Sequence, residues 1–154
     1  MKFSIESSSG AITSSMEALM AGFQHLGLRS HHTWYNNTNY ELYCACDEWD
    51  RSVVYTNEFI PKGEFIGMLE GEVVPSRSLA ITSKYMIWLS DYEIMDCRGT
   101  PRCILSMVRE GFYEGIESNC KIGVSYSSCE VSAYVYALRD IQVGEELFMD
   151  REFY

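Results

Sequence analysis

From Tyr40 onward, turn-forming residues cut the chain into short apolar runs, and this constrains the fold more than any other feature. Pro61-Lys62-Gly63, Val74-Pro75-Ser76, Gly99-Thr100-Pro101 and Val143-Gly144 supply the breaks. Proline lacks the amide that a ladder or helix needs, and glycine turns where a side chain would clash. Between the breaks, Tyr40, Leu42, Cys44 and Cys46 alternate with their neighbours as a half-buried strand would. Val53 to Ile60, Phe65 to Leu69, Ile122 to Tyr126, Val131 to Leu138 and Leu147 to Met149 are further strand candidates, rich in β-branched and aromatic residues. One helix precedes them. Ser14 and Glu17 have capping-box spacing, Met16, Leu19, Met20, Phe23 and Leu26 form an apolar stripe, and Gly27 suits a left-handed cap. The pattern predicts a helix over Ser15–Leu26 packed on a β body, preceded by a flexible stretch at residues 1–13. The expected class is α+β, dominated by short strands and small sheets.

A length of 154 residues fits one domain, and 47% hydrophobic with 22% charged residues reads as globular. No linker divides it. With 12 Lys and Arg against 22 Asp and Glu, the net charge is −10. That balance disfavours nucleic acid and favours a Lys/Arg-rich protein segment or peptide as partner. No apolar run approaches the ~20 residues that span a bilayer, so no membrane association is expected. The first residues lack the apolar centre of a signal peptide, which points to an intracellular protein, nuclear or cytoplasmic, rather than a secreted one. The six cysteines contain no Cys-x-x-Cys pair, so they read as reduced thiols and no structural metal is expected.

Two segments share the form x-x-Ile-x-x-Gly-Glu: Glu58-Phe59-Ile60-Pro61-Lys62-Gly63-Glu64 and Arg139-Asp140-Ile141-Gln142-Val143-Gly144-Glu145. Each is a strand end running into a turn that needs glycine. Ile60 to Gly67 followed by Glu70-Gly71-Glu72-Val73 resembles the N-terminal half of SET domains. Tyr85 to Leu89 through Ile94 to Cys97 resembles that family's middle segment, and Asn119-Cys120 its Asn-Cys. Ala137 to Leu147 is similar to its C-terminal A-x-x-D-I-x-x-G-E-E-L signature. These segments keep the family's order from Val53 to Tyr154. The resemblance implies a SET (β-clip) core over residues 53–154, with the helix and a lead-in strand over 14–52. It also implies methyl transfer from S-adenosylmethionine to a protein lysine.

The same resemblance assigns the site residues and exposes departures from the pattern. Arg51-Ser52-Val53 stands where the family has Gly-x-Gly, and side chains at both glycine positions would crowd a cofactor. Arg109-Glu110 stands where the family has its cofactor-contacting Asn-His, with Asn119 and Phe153 as further cofactor positions and Tyr85 as a wall of the lysine channel. The catalytic tyrosine's slot holds Arg151, so Tyr154 is the candidate for the lost hydroxyl. A methyltransferase with divergent motifs and a non-catalytic SET module that binds a basic segment are both compatible with this sequence. An unrelated β domain with coincidental turns is the third alternative.

Overall fold

Strands this short cannot carry one broad sheet, and the computed structural model, which describes residues 29–30, 34–78, 83–99 and 101–151, distributes them over four small ones. In chain order they are β1 (Arg29–Ser30), β2 (Trp34–Tyr35), β3 (Leu42–Cys46), β4 (Ser52–Thr56) and β5 (Phe65–Met68). Then come β6 (Glu72–Pro75), β7 (Met86–Trp88), β8 (Glu93–Asp96), β9 (Arg102–Cys103) and β10 (Arg109–Glu110). The last three are β11 (Cys120–Tyr126), β12 (Val131–Ala137) and β13 (Phe148–Asp150). The sheets run β1-β3-β4, β10-β13-β11-β12-β5, β2-β9 and β6-β8-β7.

The two Ile-x-x-Gly-Glu segments turn out to be each other's partners. Ile60 donates its amide to the Ile141 carbonyl at 2.9 Å and accepts from the Ile141 amide at 2.8 Å. Gly63 donates to the Ala137 carbonyl and Gly144 to the Thr56 carbonyl, both at 2.8 Å. Ala137 then donates to Glu64, and Thr56 to Glu145. The contacts are related by a local pseudo-twofold. Gly63 at φ 83° and Gly144 at φ 86° occupy the left-handed region that side chains avoid. Ile60 and Ile141 are fully buried and bring both turns onto one core.

The C-terminal strand is threaded. β13 lies between β10 and β11 and pairs in parallel with both, Phe148 opposite Arg109 and Met149 opposite Cys120. The segment joining β10 to β11 must therefore cross over β13, and a Cβ on its Gly111 would stand 3.3 Å from the Cβ of Phe148. Asn119 pins this crossing: its Nδ2 donates to the Glu146 carbonyl and its Oδ1 accepts from the Phe148 amide, both at 2.8 Å.

Several expectations need correction. The alternation in Tyr40–Cys46 predicted one wet face, but Leu42, Tyr43, Cys44 and Ala45 are all buried because Trp34 packs edge-on against Tyr43. The run Val53 to Ile60 is not one strand: β4 ends at Thr56, whose hydroxyl donates to the Glu58 carbonyl and bends the chain before Ile60. The sheet β6-β8-β7 was only partly foreseen, as a family segment rather than as strands. The helix expected over Ser15–Leu26 lies outside the described residues. Among those described, the one α-helical segment is the single turn Gly111–Glu114, and no helix is long and apolar enough to cross a membrane.

Candidate functional site

A cleft of about 520 Å³ opens where the start of β4, the lead-in to β7, the strand β10 and the residue after β13 converge. It brings together Arg51, Tyr85, Arg109, Glu110 and Arg151, five positions singled out from the sequence. Ser52, Lys84, Met86 and Trp88 complete much of its wall and were missed. The signal for Lys84 was its adjacency to Tyr85; its ammonium lies 5.1 Å from that ring's centre. Arg102 was missed as well, and its guanidinium lies 4.0 Å from the centre of the same ring.

The arginines of the wall are tied down. Arg109 grips Glu146 with two parallel bonds, Nε to Oε1 at 2.6 Å and Nη2 to Oε2 at 2.9 Å, and lies 3.8 Å from Asp47. Fork-to-fork pairing of this kind fixes the guanidinium plane as well as its position. Asp47 also takes Nε of Arg51 at 2.7 Å. Extended backbone directs successive side chains apart, and Glu110 meets Arg151 at 3.5 Å.

Arg151 spans the cleft. Its Nη1 donates to the Lys84 carbonyl at 2.7 Å and its Nη2 to the Val108 carbonyl at 2.9 Å, joining the β7 wall to the β10 wall. The side chain is only 14% exposed. Burial pulls its pKa below the ordinary arginine value, while Glu110 pushes it back up; a guanidinium starts so high that it stays charged.

Other assigned positions fall elsewhere. Asn119 does not line the cleft; it is 0% exposed and its amide is engaged by backbone on both sides. Val53 faces the core rather than the cleft, so of the two residues expected to crowd a cofactor only Arg51 lines it. Phe153 and Tyr154 lie outside the described residues.

The fold and site together define the class. The family model of the SET domain matches residues 51–150. This chain belongs to the SET-domain family. No curated protein matches it. Among solved structures, KRYPTONITE in complex with mCHH DNA, H3(1-15) peptide and SAH is similar, with a TM-score of 0.61 and 16% identity over 75% of this chain and 24% of that one. ATXR5 in complex with mono-methylated histone H3.1 is similar with a TM-score of 0.60 and 18% identity, over 95% of this chain and 67% of that one. At such identities the likeness is one of fold, and this chain spans about a quarter of the KRYPTONITE chain.

The family implies S-adenosylmethionine, so the cleft can be tested for fit to it. A sulfonium is a cation that is stabilised by aromatic faces and carbonyl oxygens. Here Arg51, Lys84, Arg109 and Arg151 line the wall with Glu110 as the one carboxylate among its lining residues. The carbonyls of Lys84 and Val108 are already occupied by Arg151. These residues do not fit a cationic cofactor.

Proposed function

We propose that this chain is a SET-fold domain impaired in methyl transfer, whose remaining role is to bind a basic protein segment. The observation that carries this reading is Arg151, in the family's tyrosine slot and bonded across the cleft to two carbonyls. Lysine methylation needs a neutral amine, oriented by a hydroxyl and carbonyls. A guanidinium at that point donates only, accepts nothing and repels an incoming ammonium. A like-charge contact at 4–5 Å costs roughly 3–4 kcal/mol at an effective dielectric of about 20, and the cleft presents four cations to any such visitor.

Charge supports the second half. The chain carries −10 overall, and a separate groove between the β6–β8 face and the β11–β12 tip is lined by Glu70, Glu93 and Glu130 without a lysine or arginine. That groove favours a Lys/Arg-rich segment by simple complementarity. The peptide and histone in the KRYPTONITE and ATXR5 complexes agree with such a partner. The DNA in the KRYPTONITE complex raises nucleic acid as an alternative, which the net charge disfavours.

The test combines calorimetric titration of S-adenosylmethionine with methyl transfer to lysine-rich peptides, for wild type and Arg151→Tyr. The expected result is no wild-type turnover, with salt-sensitive peptide binding retained. Turnover gained only by Arg151→Tyr would identify the guanidinium as the block. Robust wild-type turnover would overturn the proposal.

A further inference from the structure

We infer that the former cofactor cleft is a binding site for a small phosphate-bearing ligand of nucleotide size. The inference rests on the reading that the cleft no longer suits a sulfonium. Its own support is the distribution of charge. Four of the chain's 12 basic residues line this one cleft, against one of its 22 acidic residues. In a molecule of net charge −10, that concentration runs against the global field and makes a local positive focus.

The cations are also held in place. Glu146 and Asp47, which grip Arg109 and Arg51, have side chains only 10% exposed and do not line the cleft. They fix the guanidiniums from outside the lining, so a ligand in the cleft meets the positive charges of the arginines and not these two carboxylates. Counting both backing acids still leaves the site cationic, because Lys84 adds a charge and is exposed at the rim. Arginine forks and a lysine ammonium are the groups that recognise phosphate oxygens. The rest of the wall combines three serines, Ser52, Ser83 and Ser106, with an apolar and aromatic face of Tyr85, Met86, Trp88, Met107 and Val108. Trp88, at 41% exposure, offers an indole to a flat base. A volume of about 520 Å³ lies within the ordinary range for small-molecule sites.

The experiment titrates the intact protein with ADP, inorganic pyrophosphate, adenosine, S-adenosylmethionine and a duplex oligonucleotide, followed by calorimetry at low and high salt. Lys84→Glu is the site variant, because the side chain sits exposed at the rim. Lys62→Glu is the control, a matching charge change at an exposed turn outside the cleft. ADP and pyrophosphate are expected to bind, more weakly as salt rises. Lys84→Glu is expected to weaken both at least about tenfold, the loss that follows removal of one charge-assisted hydrogen bond, and Lys62→Glu to leave them unchanged. ADP binding more tightly than pyrophosphate would add the aromatic wall to the site. Absence of ADP and pyrophosphate binding, or equal weakening by both variants, overturns the inference. So does adenosine or S-adenosylmethionine binding more tightly than ADP, or the duplex binding where ADP does not. Failure here leaves the impaired-transfer reading standing, whereas wild-type turnover with S-adenosylmethionine would sink that reading by itself.

Discussion

The paired Ile-x-x-Gly-Glu turns and the cation-lined cleft are built from neighbouring strands, yet they relate to the SET pattern in opposite ways. In the turns the expected residues are present and each has a backbone task. Gly63 and Gly144 take positive φ, and Ile60 and Ile141 exchange two hydrogen bonds inside the core. In the cleft, the sequence resemblance expects glycine, Asn-His and tyrosine, and the chain carries Arg51, Arg109, Glu110 and Arg151. The difference is one of physical tolerance. A left-handed turn accepts few residues at any stability, whereas a cleft wall accepts new charges provided each finds a partner. Arg109 finds Glu146, and Arg151 finds Glu110 with two carbonyls. A fold can thus keep its turns while the residues lining its cleft vary.

Asn119 joins the two regions, and breaking it should have the largest effect. Its backbone carbonyl accepts the Leu138 amide beside one turn, and its side-chain amide holds the backbone carbonyl of Glu146, whose side chain fixes Arg109 of the cleft. Asn119→Ala strands the buried Phe148 amide and the Glu146 carbonyl. We expect a loss of about 2–4 kcal/mol in denaturant unfolding, one to two kcal/mol for each stranded group. A loss below about 1 kcal/mol would show that the side-chain amide does not hold the crossing.

The sequence made the turns legible because their information is local: Gly after a proline or apolar run, Ile before it, Asp140 alongside. Asp140 does brace the neighbouring turn, its Oδ1 accepting the Lys62 amide at 2.8 Å. The convergence of Arg51, Tyr85, Arg109, Glu110 and Arg151 was legible only through family order, since nothing in their spacing brings them together. What could not be read was pairing. Glu146 lies in the signature stretch, but its role as the anchor of Arg109 depends on β13 threading beside β10. The pairing of the two repeats was equally hidden, since each alone describes a turn and only the long-range bridge makes them partners. Asn119 was assigned to a cofactor for the same reason: sequence proximity to a signature does not say which way an amide faces.

The pseudo-twofold makes a sharper claim, that Gly63→Ala and Gly144→Ala should cost the same. A Cβ at either position meets nothing within 4 Å, so the penalty is purely that of holding alanine at positive φ. That is about 1–2 kcal/mol at each site, and the two values should agree to within about 0.5 kcal/mol. Asparagine, which visits this region more readily, should lessen both losses equally. Thermal or denaturant unfolding of the four variants measures this. A clear excess at one site would mean that the turns match in geometry but not in how firmly their surroundings hold them.

The smallest expected effect comes from a place where the two turns differ. Pro61 in the first turn has no amide to satisfy, but the corresponding Gln142 does, and it donates to Glu145 Oε1 at 2.8 Å. Arg139 orients that carboxylate, Nη2 to Oε2 at 2.9 Å and Nη1 to Oε1 at 3.3 Å. The pair is exposed, so Arg139→Ala should cost less than about 1 kcal/mol at neutral pH and less still in high salt. Its signature lies in the pH dependence. Hydrogen bonding to Arg139 holds the Glu145 carboxyl below its ordinary value of 4.5. A carboxyl depressed in the folded state adds stability that is complete above the unfolded value and is lost as pH falls through the folded one. Wild type should therefore lose more stability than Arg139→Ala between neutral pH and the acid side of 4.5, and the two curves should converge at the acid end. Parallel curves would show that Glu145 is held by the Gln142 amide alone, and that the second turn needs no more than the backbone brace its proline-bearing partner does without.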